Sequence, residues 1–264
     1  MKLKRSLGQV FLSNHEYITQ IADLLPIENE IVMEIGPGRG VISELIARKA
    51  KKFICIEKDP RFYLILKNKL SHIPGAKVFS ADILKFSIPG FCQKIIVFGN
   101  IPYFISKDII KYLVCYRNQI KSVYLTLQKE FAEKLLANAS ERQYGFLTCY
   151  AQYYAKIKKL IDIPASAFFP IPKVNSTFLQ IDFYATLPQK AENDAFLFKI
   201  IRQAFSEPRK KVNNTLKPFL SKNSIQMIPK AILDSRPGTL SLSEYVQIAK
   251  TIYKEKNNLC SLTF

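Results

Sequence analysis

The chain has 264 residues, of which 48% are hydrophobic, enough for one large domain and a smaller second one. No apolar run approaches the roughly 20 residues that cross a bilayer, and the five cysteines and two histidines lack the spacing of a metal site or a disulfide framework. Lys and Arg outnumber Asp and Glu by 39 to 21, a formal net charge of +18. We therefore expect a soluble, cytoplasmic protein without a metal, and its distributed positive charge favours a polyanionic partner such as nucleic acid.

Between residues 31 and 128, short apolar segments alternate with segments of helical periodicity. The predicted strands are residues 31–35, 53–56, 77–80, 95–98 and 123–127, and the helices between them include 41–49, 60–70 and 107–115. Alternation of this kind is typical of an α/β fold with a doubly wound, mostly parallel sheet. Two later strands, at 158–163 and 177–183, are predicted to complete a seven-stranded sheet in antiparallel orientation.

The pattern changes near residue 187. Residues 195–205, 210–220 and 245–253 carry apolar side chains at helical spacing only. Ser241 and Glu244 are spaced as a capping box at the start of the last of these helices. We predict a first domain of residues 1–187 and a small all-helical domain of residues 188–264.

Four predicted strands end in polar or glycine-rich segments, and ligands bind outside the carboxyl ends of the strands in an open parallel sheet. The segments are Glu34-Ile35-Gly36-Pro37-Gly38, Glu57-Lys58-Asp59, Ala81-Asp82-Ile83 and Gly99-Asn100-Ile101-Pro102-Tyr103. Glycines allow the backbone to approach a ligand closely, and the Glu57 carboxylate can accept both ribose hydroxyls of a nucleoside. Asp82 can accept from an adenine amino group or cap the following turn, whereas Asp59 before Pro60 fits a helix N-cap.

The glycine segment fits a nucleoside with a short charged tail better than a dinucleotide. Val41 occupies the place of the third glycine in a dinucleotide-binding fingerprint, and no Gly-Lys-Ser/Thr sequence follows to bind phosphates. S-adenosylmethionine meets this description.

The segment Asn100-Ile101-Pro102-Tyr103 matches the needs of methyl transfer to an exocyclic adenine nitrogen, which is a poor nucleophile because its lone pair is delocalised into the ring. The Asn100 side-chain oxygen and the Ile101 carbonyl, held extended by Pro102, can accept hydrogen bonds from the amino group. Tyr103 can stack on the base and stabilise the developing positive charge. The methylated nitrogen loses its proton afterwards, so no histidine base is required. The alternative is an ordinary strand-to-loop turn.

These motifs, in their order along the chain, resemble the ribosomal RNA adenine N6,N6-dimethyltransferases of the KsgA type over nearly the whole sequence. The matching segments are Gly8-Gln9-Val10-Phe11-Leu12, the glycine and Asn100 segments, Leu127-Gln128-Lys129-Glu130, Tyr144-Gly145, Ala151-Gln152-Tyr153-Tyr154, the run from Ser166 to Ser176, and Ala204-Phe205 with Arg209-Lys210. The resemblance implies a Rossmann-like class I methyltransferase domain over residues 1–187 and a helical RNA-binding domain over 188–264. It also implies a substrate: two adjacent adenosines in the 3′-terminal hairpin loop of 16S rRNA, in an immature 30S subunit. We expect the protein to act as a monomer.

The resemblance and the strand-end pattern together assign site residues. The cofactor-binding residues are Val10, Leu12, Gly36, Gly38, Glu57, Lys58, Asp82, Ile83 and Asn100. The target-base residues are Asn100, Ile101, Pro102, Tyr103 and Phe168, with Phe168 stacking opposite Tyr103. The residues expected to contact RNA phosphates are Arg202, Arg209, Lys210, Lys211 and Lys217. The chain departs from the family at Val10, Phe104, Lys107 and Pro208, where Asn, Asn, Thr and Arg are usual.

Three other functions compete with this interpretation. The macrolide-resistance type of enzyme dimethylates an adenine of 23S rRNA, but the Phe98-Gly99 lead-in and the Ala204-Phe205 segment favour the KsgA type. Val41 and the basic charge disfavour a dinucleotide-dependent oxidoreductase. A non-catalytic RNA-binding assembly factor would not need the intact Asn100 and Tyr103.

Overall fold

The computed structural model describes residues 9–261, and the side chains of residues 9–255. The basic cluster Lys2, Lys4 and Arg5, Gly8 of the first motif, and the Cys260 side chain lie outside the described residues. Two compact units are present: the first runs to Ala132 and includes Lys156–Phe183, and the second comprises Glu133–Ala155 and the chain from Tyr184 onward. The later part of the second unit thus begins at Tyr184, near the predicted boundary at residue 187, but the unit also takes in Glu133–Ala155 from the middle of the chain.

The first unit is built around a seven-stranded sheet. The strands in chain order are β1 (Phe11–Leu12), β2 (Ile31–Ile35), β3 (Lys52–Glu57), β4 (Ala76–Ser80), β5 (Ile95–Asn100), β6 (Ile120–Gln128), β7 (Ala155–Ile163), β8 (Phe168–Phe169) and β9 (Ser176–Phe183). The sheet order is β4-β3-β2-β5-β6-β9-β7, and β1 and β8 form a separate ribbon. The strands from β4 to β6 pair in parallel, and β9 pairs antiparallel with β6. The predicted doubly wound, mostly parallel sheet is confirmed.

The central strands are buried on both faces, as expected for parallel strands that are covered by helices. All five residues of β2 are buried, as are all residues of β3 after Lys52. In register, Ile35 lies opposite Ile56 on one side and Gly99 on the other. The segments that follow β2, β3 and β5 therefore leave the sheet along one edge.

The helices of this unit are α1 (His15–Leu24), α2 (Ser43–Lys49), α3 (Pro60–Lys69) and α4 (Ser106–Cys115), and α5 (Lys129–Leu136) begins within it. Asp59 caps α3 by accepting from the Arg61 amide at 3.1 Å, with Pro60 at the first helical position, so this prediction is confirmed. Among the described residues, no helix is both long enough and apolar enough to span a bilayer.

The second unit is helical. Its helices are α6 (Phe146–Tyr154), α7 (Asp194–Ala204), α8 (Val212–Thr215), α9 (Lys222–Met227), α10 (Lys230–Asp234) and α11 (Leu242–Ser261). Helices α6 and α7 are joined by an aromatic cluster, in which the Phe198 ring lies 5.4 Å from that of Tyr153, and by a 2.6 Å hydrogen bond from the Tyr153 hydroxyl to Asp194. The predicted capping box is confirmed, since the Ser241 amide donates to Glu244 at 2.7 Å and the Glu244 amide to Ser241 at 3.3 Å.

The predicted helix over residues 210–220 is wrong in extent. Only Val212–Thr215 is helical, and the chain then turns, with the Phe219 amide donating to the Leu216 carbonyl at 2.8 Å. Pro218 explains the break, because proline lacks the donor that a continuing helix needs and disfavours helical conformation in the residue before it.

Candidate active site

A cavity opens where the carboxyl ends of β2, β3 and β5 meet. It is lined by all the predicted cofactor-binding residues and by the four residues of the predicted catalytic segment: Val10, Leu12, Gly36, Gly38, Glu57, Lys58, Asp82, Ile83, Asn100, Ile101, Pro102 and Tyr103. The cavity also includes residues that are not among the predicted site residues, namely Glu34, Phe11, Phe62 and Phe104. The strand-end pattern could have indicated Glu34, because it precedes the glycines in the same segment.

The chain before α1 lies across one wall of the cavity. Strand β1 pairs antiparallel with β8, and the amides of Ser13 and Asn14 both donate to the Ala167 carbonyl, at 2.8 and 3.1 Å. At the other end, Gln9 Nε2 donates to Asp59 Oδ2 at 2.8 Å. The segment is therefore held at both ends by hydrogen bonds to distant parts of the first unit.

The glycine turn needs glycine at Gly38 for two reasons. Its φ is +56°, in the left-handed region that other residues rarely adopt, and a Cβ at this position would overlap the Phe11 ring. The Phe11 ring packs edge-on against Phe62 at 5.3 Å and beneath the Arg39 guanidinium at 5.4 Å. The aromatic ring of β1 thus rests directly on the glycine backbone.

The Glu57 carboxylate accepts hydrogen bonds from the backbone of the glycine turn and of the segment that follows β3. Its Oε2 accepts from the Gly38 amide at 2.9 Å, and its Oε1 accepts from the Asp59 amide at 2.7 Å. Burial raises the pKa of Glu57, and these two amides oppose that rise. The bonds link the ends of β2 and β3 and fix the carboxylate at the sheet edge.

Glu34 is a second carboxyl in the cavity wall, with only 5% of the residue exposed. Within the described residues its Oε2 has no hydrogen-bond partner. Burial raises the pKa of Glu34 to about 7; the Ser43 hydroxyl and Lys69 oppose this rise, while the nearby Glu57 carboxylate adds to it. A buried acceptor without a partner suits the cationic group of a ligand.

Asp82 caps the turn that follows it, which is one of the two roles predicted for this residue. Its Oδ1 accepts from the Leu84 amide at 3.1 Å, and its Oδ2 accepts from Lys58 Nζ at 2.8 Å. The hydrogen bond from Lys58 lowers the pKa of Asp82. Binding of an adenine amino group by Asp82 remains a prediction.

The predicted catalytic segment is oriented by three contacts. Asn100 Nδ2 donates to the Val10 carbonyl at 3.2 Å, which leaves Oδ1 as an acceptor without a protein partner in the described part of the chain. The Ile101 amide donates to the Thr126 carbonyl at 3.1 Å. The half-buried Tyr103 holds its hydroxyl 3.3 Å from Ser176 Oγ. Val10 therefore contributes its backbone, although its side chain lacks the polar group usual in the family.

Phe168 is not brought into this cavity. Its side chain is only 2% exposed and belongs to a core cluster with Leu12, Ile163 and Phe178, whereas the next residue, Phe169, is 58% exposed. Strand β8 alternates its side chains between two faces, and the pairing of Phe168 with Leu12 turns Phe168 inward. The stacking role of Phe168 remains a prediction that requires its ring to become accessible.

The five basic residues that were expected to contact phosphates belong to the second unit and are exposed: Arg202, Arg209, Lys210, Lys211 and Lys217. The Arg202 guanidinium lies 5.0 Å from the Phe146 ring centroid. Lys210 pairs with Glu207 at 2.6 Å, and Lys211 pairs with Asp234 at 3.0 Å. Exposed pairs of this kind are weak, so these side chains can exchange partners.

The described residues contain no group of three or more His, Cys, Asp or Glu side chains arranged to hold a metal ion. Cys55 and Cys149 are buried and Cys92 and Cys115 exposed, all as free thiols. The polar groups that line the cavity include its carboxylates, its glycine backbone and the Asn100 segment.

Comparison with known proteins gives a consistent result. A family model described as ribosomal RNA adenine dimethylase matches residues 1–254. Ribosomal RNA small subunit methyltransferase A of Mycoplasma mobile is 35% identical over 96% of this chain and 98% of that protein. The protein of the same name from Desulforapulum autotrophicum is also 35% identical, over 95% of this chain and 92% of its own length.

Solved structures show the same fold. A dimethyladenosine transferase from Plasmodium falciparum superposes with a TM-score of 0.77 at 25% identity, covering 94% of this chain and 98% of that one. The 23S rRNA methyltransferase ErmE superposes with a TM-score of 0.75 at 20% identity, covering 92% of this chain and 99% of that one. The predicted class I methyltransferase fold is confirmed.

The raised pKa of Glu34 predicts a stability that depends on pH. Since the folded pKa is about 7 and the usual value is 4.5, the folded state binds the extra proton, and the free energy of unfolding falls as pH rises from 4.5 to 7. A glutamine at this position does not titrate, so Glu34→Gln lacks this loss. The free energy of unfolding of the variant minus that of the wild type should therefore be larger at pH 8 than at pH 5 by roughly 1–3 kcal/mol. Urea-induced unfolding at both pH values measures the difference.

Glu141→Gln is the matched control. The hydrogen bonds from the Asn138 amide and side chain lower the pKa of the Glu141 carboxyl, so it stays ionised across the same range and its substitution should have the same effect at pH 5 and pH 8. An equally constant effect for Glu34→Gln would contradict the prediction.

Proposed function

Since the chain belongs to the ribosomal RNA adenine dimethylase family, we propose that it dimethylates N6 of two adjacent adenosines in the 3′-terminal hairpin loop of 16S rRNA, with S-adenosylmethionine as the methyl donor. The observation that carries the proposal is the position of the Asn100 segment, which lines the same cavity as the buried carboxylates Glu34 and Glu57 and in which the Asn100 amide is oriented by its Nδ2 bond to Val10. We further propose that the protein acts as a monomer on an immature 30S subunit in the cytoplasm.

The residues of the cavity fit the proposed cofactor. S-adenosylmethionine supplies a methyl group made electrophilic by a sulfonium centre, and it also carries an ammonium group and a ribose. Glu57 stands at the carboxyl end of β3, where its oxygens can accept ribose hydroxyls. Glu34 offers an acceptor without a protein partner in the described residues, which suits the ammonium group. The backbone at Gly36, where a Cβ would meet nothing within 4 Å, allows close approach, and Ile83 supplies an apolar wall.

The chain's own groups favour attack by the adenine amine. Asn100 Oδ1 and the Ile101 carbonyl can each accept an N–H hydrogen bond, which favours a pyramidal nitrogen with a localised lone pair. The Nδ2 bond to the Val10 carbonyl keeps Oδ1 directed away from Val10. Tyr103 can stack on the base, with its ring held by the Ser176 hydroxyl. The methylated nitrogen can lose its proton to water, so these groups act by orientation and charge stabilisation.

The comparisons favour the small subunit as substrate. Relatives named small subunit methyltransferase A reach 35% identity over almost the full chain, whereas ErmE, which acts on 23S rRNA, reaches 20%. We propose that residues 1–187 bind the cofactor and target base and that residues 188–264 contribute RNA contacts. The target base must leave its stack to enter the cavity, which suits an unpaired loop.

Tritiated methyl transfer tests the proposal. The protein is incubated with labelled S-adenosylmethionine and with 30S or 50S particles from a strain that lacks this methylation, and the labelled nucleoside is identified and mapped. We expect N6,N6-dimethyladenosine in the 3′-terminal hairpin of 16S rRNA. Label in 50S particles would favour the 23S alternative, and binding to 30S particles without label would favour a non-catalytic assembly factor.

Asn100→Ala should lower the rate of methyl transfer at least about 100-fold, in the range of one lost transition-state hydrogen bond. Single-turnover kinetics with saturating cofactor measure the rate. Asn100 also bonds to Val10, so its loss could displace residues 9–12 from the cavity wall. Cofactor affinity is therefore measured in parallel by calorimetry, and a value close to wild type shows that these residues are still in place. Near-normal turnover would remove Asn100 from the chemistry.

Charge reversal at Lys210 and Lys211 should weaken RNA binding and reduce its dependence on salt, because each lost phosphate contact lowers the slope of log affinity against log salt by about one. The matched control reverses Lys51 and Lys52, another exposed adjacent pair. Filter binding at several salt concentrations measures both slopes. Equal slopes for the two double variants would exclude Lys210 and Lys211 from the RNA-binding surface.

A further inference from the structure

Phe104 lines the cavity but is 62% exposed. It follows Tyr103 directly, in the 3-10 turn Tyr103–Ile105 that connects β5 to α4. A single exposed aromatic ring is common on protein surfaces. A ring at the rim of a cavity for a nucleobase is a different case, because it extends the apolar surface that the reacting base already meets.

The backbone that carries this ring is fixed. The Ile105 amide donates to the Pro102 carbonyl at 3.1 Å, the Ser106 amide donates to the Tyr103 carbonyl, and the buried Ser106 begins α4. The backbone beneath the ring is held by these hydrogen bonds, so stacking of a ligand on Phe104 needs no rearrangement of the turn.

Lys107 follows the ring by three positions. Residues three apart in a helical turn lie on the same side, so we infer that Phe104 and Lys107 leave the chain on one side of this turn. Lys107 is exposed, and within the described residues it forms no ion pair, whereas its neighbour Asp108 pairs with Lys111 at 3.3 Å. The turn at the cavity rim thus carries an exposed apolar ring and, three positions on, an exposed ammonium group.

We propose that Phe104 and Lys107 bind the nucleotide next to the reacting adenosine, with its base stacked on Phe104 and its phosphate paired with Lys107. The inference rests on the proposed RNA substrate. Unpaired bases stack on aromatic side chains, and lysine binds phosphate as a compact charge. Because Phe104 and Tyr103 are consecutive, a base on Phe104 belongs to a nucleotide adjacent to the one held at Tyr103.

Stacking does not read base identity, because every base has a π face. The pair therefore contributes affinity and position to the flanking nucleotide rather than sequence selectivity.

The test uses a hairpin RNA with 2-aminopurine in place of the nucleotide next to the reacting adenosine, because stacking changes 2-aminopurine fluorescence. Phe104→Leu removes the aromatic face while it keeps an apolar side chain, and Phe104→Tyr keeps the aromatic face. We expect Phe104→Tyr to give the wild-type fluorescence change on binding and Phe104→Leu to lose most of it. The KM for 30S particles should rise at least about fivefold in Phe104→Leu, the lower end of base stacking on an aromatic residue, with cofactor affinity unchanged.

Lys107→Ala should reduce the salt slope of RNA binding by about one. Lys111→Ala removes the same charge from the same helix, but one helical turn farther from Phe104, and should leave the slope unchanged. If the wild-type protein methylates 30S particles but Phe104→Leu matches it in fluorescence and KM, this inference is overturned and the proposed function stands. If the wild-type protein transfers no methyl group, the proposed function fails and this inference with it.

Discussion

The parallel register of β2 with β3 and β5 decides where three central parts of the cavity lie. Ile35 is aligned with Ile56 and with Gly99, so the glycine turn, Glu57 and Asn100 all leave the sheet at one edge. A shift of one residue in any of these strands would turn its side chains to the opposite face. The continuous burial of β2 and β3 makes such a shift costly, because it would break the packing on both faces of the sheet. The hydrophobic core thus positions carboxylates that are themselves poorly suited to burial.

The two buried carboxyls show that the site is maintained at a cost in stability. Burial raises the pKa of both Glu34 and Glu57. The Glu57 carboxylate adds to the rise for Glu34, whereas backbone amides oppose the rise for Glu57. Replacement by apolar residues would remove this cost, but it would also remove the acceptors for a cationic, hydroxyl-bearing ligand. Strain of this kind is typical of functional sites. The contrast with Asp59, whose ionised form is held by Arg61 and Gln9, indicates that the fold can satisfy a buried carboxylate where no ligand is needed.

Most of the sheet and the composition of the cavity were predictable from sequence, because parallel strands are dense apolar runs and their ends carry the polar motifs. All seven predicted strands of the sheet are present, most of them longer than expected. Contacts between distant residues were not predictable: Asn100 bonds to the backbone of Val10, 90 positions away, and no side-chain pattern signals a carbonyl acceptor. The burial of Phe168 depends in the same way on its pairing with Leu12. In the second unit, Pro218 ended a helix that apolar periodicity alone would have continued.

The second unit is discontinuous in sequence, since it combines Glu133–Ala155 with the chain from Tyr184 onward. The Tyr153 hydroxyl from the earlier segment donates to Asp194 and accepts from the Ala191 amide, both in the later one. A fragment that ended at Phe183 would therefore retain an orphaned helix, with the aromatic face of Phe146–Tyr154 exposed to water. The second unit cannot be removed or exchanged as a terminal tail. A chimaera that transplants it must graft two stretches of chain at once, which restricts how substrate preference can be recombined between relatives.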